Sequence, residues 1–130
     1  MKTMTATTML AAALALAGCH SHDGELFGPP TESVCPPAST LTYANFGQPF
    51  MEAYCTQCHD SALMGEARMG APSFHDFDTI FGIRAVAPHI DEVAAAGPAA
   101  TNEGMPEDDP KPTLLERQQL GEWIACGMPE

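Results

Sequence analysis

Basic residues are scarce in this chain: five Lys and Arg stand against seventeen Asp and Glu, a formal net charge of −12. Nucleic-acid phosphates are held by clustered Lys and Arg, so the composition rules against nucleic acid as a partner. Alternating apolar and polar residues, the mark of half-buried strands, are missing throughout, which argues against a sheet. The longest apolar run, Met9 to Ala17, is far short of the roughly 20 residues a membrane-spanning helix needs. No second Cys-x-x-Cys follows the one at Cys55 and Cys58. Length allows one small domain and not two, since the chain has 130 residues. Large apolar side chains are few for such a domain, so something else should help fill its core.

What is present begins at the N-terminus. Met1-Lys2 precedes the small and apolar TMTATTMLAAALALAG, which reads as a secretory signal peptide over residues 1–18. A buried core helix would not need that charged start or that small-residue ending. Leu16-Ala17-Gly18-Cys19 resembles the lipobox of bacterial lipoproteins. The resemblance implies cleavage before Cys19 and acyl chains on it, and two or three chains suffice for a stable membrane anchor. It places the chain in the bacterial cell envelope, on the periplasmic side. Because His20 and not Asp follows Cys19, the family's sorting rule favours the outer membrane over the inner.

The mature chain would keep Arg68, Arg84, Lys111 and Arg117 against the same seventeen acids, a net of −13. That charge suits solubility and a partner with a basic docking surface, and it equally suits a merely soluble periplasmic surface with no such partner. Residues 19–40 are rich in Pro, Ser, Gly and acid and read as a flexible tether, with His20 and His22 as solvated residues of it. With Cys19 taken by lipid and Cys55 and Cys58 in a motif, Cys35 and Cys126 remain and could pair in an oxidising compartment. In the chain-entropy model such a bridge contributes roughly 4–5 kcal/mol.

The folded domain is placed at 41–130. Asn45 is expected to cap a first helix that tolerates Pro49 in its first turn and carries Phe46, Phe50 and Tyr54 on one face. A second helix is expected over Ser73 to Arg84, with Ser73 and Asp76 at capping-box spacing and Phe77, Ile80 and Phe81 inward. Pro88 opens and Gly97 stops a third. The last starts at the capping box Thr113–Glu116, buries Leu120, Trp123 and Ile124, and ends at Gly127. The fold class is all-α, three to four helices in a loop-rich chain.

Three chemistries use Cys55-Thr56-Gln57-Cys58-His59. Structural zinc usually takes four protein ligands, and adjacent Cys58 and His59 rarely reach one ion together. A redox dithiol sits at a strand-to-helix junction, and no strands are expected here. The third is covalent haem c, for which CxxCH is the recognised signature. Cys55 and Cys58 would form thioethers to the two vinyl groups, and His59 would be the proximal iron ligand. Export fits, because this haem is attached outside the cytoplasm. For the opposite face of the iron, Met105 stands 46 residues after His59 in an acidic, proline-rich segment where no apolar face needs filling. His89, or an open position, are the alternatives.

On these residues the chain resembles the monohaem class I c-type cytochromes over Leu41 to Gly127. Gly47 stands where that family places a glycine at the crossing of its first and last helices; Met51 replaces the family's aromatic. Glu116-Arg117-Gln118-Gln119-Leu120-Gly121-Glu122-Trp123-Ile124 follows the family's C-terminal helix. The resemblance implies helices wrapped around one haem, with Trp123 beside it and Pro72 supplying a carbonyl to the other N–H of His59. It implies a one-electron carrier, not an enzyme, ligated by His59 and Met105. The rival readings are a haem protein with a labile or open distal site for a gas or peroxide, and an accessory haem subunit of a larger oxidoreductase.

Overall fold

A computed structural model of the chain describes residues 26–130. The expected signal peptide, Cys19, His20 and His22 lie outside the described residues. Four α-helices are set among long loops: α1 (Gln48–Tyr54), α2 (Ile80–Ala85), α3 (Ala87–Ala94) and α4 (Leu114–Ala125). Among the described residues strand pairing is limited to one bridge, Ala96 with Thr101. None of their helices is long and apolar enough to cross a membrane.

The first helix is entered through a wide turn, Tyr43–Gly47, and its cap is Thr42 rather than Asn45. The two residues form a reciprocal box: Thr42 accepts from the Asn45 amide, and the Asn45 side chain accepts from the Thr42 amide. The sequence expectation had the right residue in the wrong place, because Asn45 acts as third residue and not as cap. Phe46, Phe50 and Tyr54 do share a face, with successive ring centroids 5.5 and 5.0 Å apart.

Helix α4 starts as expected, with Thr113 and Glu116 capping each other, and stops before Gly127, whose φ of +78° suits the left-handed residue after a helix. It meets the start of the first helix at Gly47. A Cβ on Gly47 would overlap the Trp123 indole, so only glycine lets the two segments approach this closely. Trp123 is fully buried there, with Tyr43 stacked on it and Phe46 edge-on.

Two expectations are corrected. The second helix begins at Ile80 with Thr79 as its cap, not at Ser73. Asp76 is drawn instead into an ion pair with Arg68, 2.9 Å away, and residues 73–79 turn without forming a helix. Phe77 and Ile80 are buried as expected, but Phe81 faces solvent. The tether reading also fails for residues 26–40, which lie along the domain. Thr31 is fully buried and bonds Asp91 through its amide and hydroxyl. The Gly28 amide donates to the Glu92 carbonyl at 2.7 Å, and a disulfide joins Cys35 to Cys126 on the end of α4. These residues form a strap over α3.

Candidate functional site

A cavity of about 370 Å³ opens between the strap, α1, α3 and the loops after Cys55 and after Ala94. Its walls are mostly apolar, with the buried Phe50, Phe77, Ile90 and Ala94 among them. Cys55, Cys58, His59, Pro72, His89 and Met105 all line it. Trp123 does not; it lies at the helix crossing.

One wall is built from residues 55–77. The chain continues past α1 in a tight turn, so that the amides of Cys58 and His59 both donate to the Cys55 carbonyl, at 3.1 and 2.9 Å. Residues three and four apart share a face in such a turn, and that places both thiols and the imidazole on the cavity side. The His59 ring stacks on Phe77 with centroids 4.5 Å apart. Its Nδ1 lies 3.2 Å from the His75 carbonyl. A carbonyl only accepts, so Nδ1 carries the proton and Nε2 keeps its lone pair for a metal. Desolvation lowers the pKa of His59, which favours that neutral form.

The partner of His59 is therefore the His75 carbonyl and not that of Pro72. The Pro72 carbonyl is occupied by Arg68, whose Nη2 donates to it at 2.6 Å. Arg68 is buried and gathers this wall: it also donates to the carbonyls of Ala71, Asp60 and His75 and to the Asp76 carboxylate.

The facing wall carries Met105. Its amide donates to the Val93 carbonyl at 2.8 Å, and its carbonyl accepts from Nη1 of the buried Arg117 at 2.9 Å. Leu26 and Phe27 of the strap complete this side, with Phe27 edge-on to His89 at 5.6 Å. Of the other methionines, Met69 is on the first wall, its sulfur 3.5 Å from Cys58 Sγ. Met64 is exposed, and Met128 is buried with its carbonyl on Arg84.

Cys55 and Cys58 are free thiols, while Cys35 and Cys126 are bonded. Burial pushes the Cys55 thiol up to about 12 against the pull of Arg117. Among the described residues no three His, Cys, Asp or Glu side chains converge as a metal cage. A haem asks less of the chain: two thiols and one or two axial donors around an apolar space. The cavity offers these together. His75 adds an Nε2 that is buried without a hydrogen-bond partner, available to a polar group on whatever fills the cavity.

No protein-family model, no curated protein and no solved structure matches the chain.

Sequence reasoning missed Arg68, Arg117, His75, Phe77 as the ring under His59, and the strap residues Leu26 and Phe27. One signal was present for the arginines. In a chain with so few cations, an Arg inside a loop or an apolar helix face is there for an internal reason.

Proposed function

We propose that the cavity takes one covalent haem c and that the protein is a one-electron carrier of the cell envelope. The observation that carries this reading is the convergence of both CxxCH thiols, His59 and Met105 on one apolar cavity. In this reading Cys55 and Cys58 would hold the cofactor by thioethers, and His59 and Met105 would donate to its iron. The bound haem supplies reversible exchange of one electron. The chain supplies the rest. The His75 carbonyl orients His59 through Nδ1, Arg68 fixes that carbonyl, and Phe50, Phe77, Ile90 and Ala94 keep water away. If His59 and Met105 both donated to its iron, the group would supply electron exchange and would offer no open position to a substrate, which is why we favour a carrier.

The lip of the cavity includes Glu107 and Asp108, both exposed. Among the described residues the cations are Arg68 and Arg117, both buried, the half-exposed Arg84, and Lys111. This outward acidity supports a partner with a basic docking face, met in a brief encounter. A lipid on Cys19 would keep such encounters at the membrane surface.

The test is the exported, mature protein under denaturing conditions. A haem mass that stays with the chain, and is absent from a Cys55→Ser/Cys58→Ser double variant, is expected. A mature protein without covalent haem would sink the proposal. A reduced protein that is low-spin and ignores carbon monoxide separates the carrier from a gas- or peroxide-binding protein.

A further inference from the structure

We propose that Arg117 is the positioning residue that fixes Met105 at the cavity, an inference that rests on Met105 being an iron ligand. Arg117 is 2% exposed on the inner face of α4. The two N–H groups of its Nη1 are shared among three carbonyls: Ala94 at 2.8 Å, Asn102 at 2.9 Å and Met105 at 2.9 Å. All three belong to the segment that runs from the end of α3 to the cavity.

The ion pairs among the described residues are Arg68–Asp76 and Arg84–Glu130, so among them Arg117 has no carboxylate at ion-pair distance, and Glu103 acts on it only from further away. Burying a cation costs several kcal/mol unless hydrogen bonds replace its water. A leucine would avoid that cost but would leave the carbonyls of Ala94, Asn102 and Met105 without this donor. What the guanidinium adds is convergence: one group holds both ends and the middle of a segment that has no helix of its own. Met105 is tied on its other side by the Val93 carbonyl, and Asn102 donates to the carbonyls of Pro29 and Asp91. The backbone of Met105 therefore cannot swing out of the cavity without breaking a bond to a buried cation. Lysine keeps the charge, but its side chain is one bond shorter than the path to Nη1, so its ammonium falls short of the point where the three carbonyls converge.

The experiment compares the haem-loaded mature protein with Arg117→Lys, Arg117→Gln and Leu120→Ala. Imidazole competes with a methionine sulfur for oxidised iron, so its affinity reads how firmly the segment is held. Loss of one charge-assisted hydrogen bond corresponds to a tenfold or greater change. Both Arg117 variants are expected to bind imidazole at least about tenfold more tightly and to weaken the near-infrared sulfur-to-iron band. Leu120 is fully buried one turn along the helix and does not line the cavity. Its truncation should lower the unfolding midpoint and leave imidazole affinity within about twofold.

Unchanged imidazole affinity in the Arg117 variants, or an equal rise in Leu120→Ala, overturns the proposal. A wild type that carries haem but lacks the sulfur band overturns the ligand assignment of Met105 before any variant is compared. Should neither Arg117 variant take up haem, the wild type decides. Its Arg117 Nη protons should exchange with solvent at least about tenfold more slowly than those of the half-exposed Arg84, and equal rates would overturn the proposal.

Discussion

The two walls of the cavity are each gathered by a buried arginine, and they are gathered in different ways. Arg68 reaches only nearby residues, Asp60, Ala71, Pro72, His75 and Asp76, and one of its partners is a carboxylate. Arg117 reaches back along the chain to Ala94, Asn102 and Met105, and all its partners are neutral carbonyls. The first wall is thus a self-contained loop closed on itself. The second is assembled from distant parts: α4, the segment after α3, and the strap held by Cys35–Cys126 across 91 residues. Local closure costs little chain entropy, while bringing distant segments together costs more. The wall that would carry the thioethers and His59 is the local one. The wall with Met105 depends on the rest of the fold.

The largest expected effect comes from cutting the long-range tie. Changing Cys35 and Cys126 both to Ser should lower unfolding free energy by about 4–5 kcal/mol on the chain-entropy model, less if the native bridge adds strain. The comparison sharpens in hydrogen exchange. The strap and its contacts, such as the Gly28 and Ala99 amides, should lose protection first. The Phe77 amide, bonded to the His59 carbonyl at 2.7 Å, should stay protected up to global unfolding. Equal loss at both places would show the walls to be one cooperative unit.

Local closure also decides what the sequence could reveal. Thr113–Glu116, the Phe46–Phe50–Tyr54 stripe and Cys55–His59 are patterns within a turn or two, and each is formed where sequence spacing places it. Ser73 and Asp76 have the same capping spacing, yet Arg68 takes Asp76 and the helix waits for Thr79. A tertiary partner outcompeted a local one. Residues 26–40 have a tether's composition, but Thr31, Gly28 and Cys35 find partners on α3 and α4. No window of sequence contains both sides of those contacts. The approach of Gly47 to Trp123 is likewise hidden from local patterns, since spacing alone does not tell which glycine faces which indole.

A smaller effect compares the arginines directly. Arg117→Met leaves buried carbonyls without donors and should cost about 3 kcal/mol or more. Arg68→Met should cost about 1–2 kcal/mol, because Asp60, Ala71, Pro72 and His75, whose carbonyls it serves, and the Asp76 side chain are all at least partly exposed, so water can replace the lost donor. Equilibrium urea unfolding of both variants is the measurement. The reverse ranking would mean that the carboxylate, not the burial of neutral acceptors, sets the worth of a buried cation here.

The smallest effect is a pH dependence that involves two carboxylates, Glu116 at the start of α4 and Asp78 beside Ser61. Thr113 hydrogen bonds hold the Glu116 carboxyl below its ordinary 4.5, and Ser61 hydrogen bonds hold Asp78 below its ordinary 3.8. A depressed folded pKa adds stability that is fully present above the unfolded value and is lost as pH falls through the folded one. The unfolding midpoint should therefore decline below about pH 4.5, gently, since both groups are near solvent. Thr113→Ala removes the cap of α4 and should cost about 1 kcal/mol near neutral pH. Once Glu116 is protonated its partners matter less, so the deficit should narrow in acid. Ser61→Ala should behave likewise at lower pH, because the Asp78 window starts from a lower value. A Thr113→Ala deficit that is constant across this range would mean that the cap acts only through its own hydroxyl and not through the charge of Glu116. The link from α4 to Tyr54, whose hydroxyl donates to Glu116 at 2.9 Å, would then be neutral in effect as well.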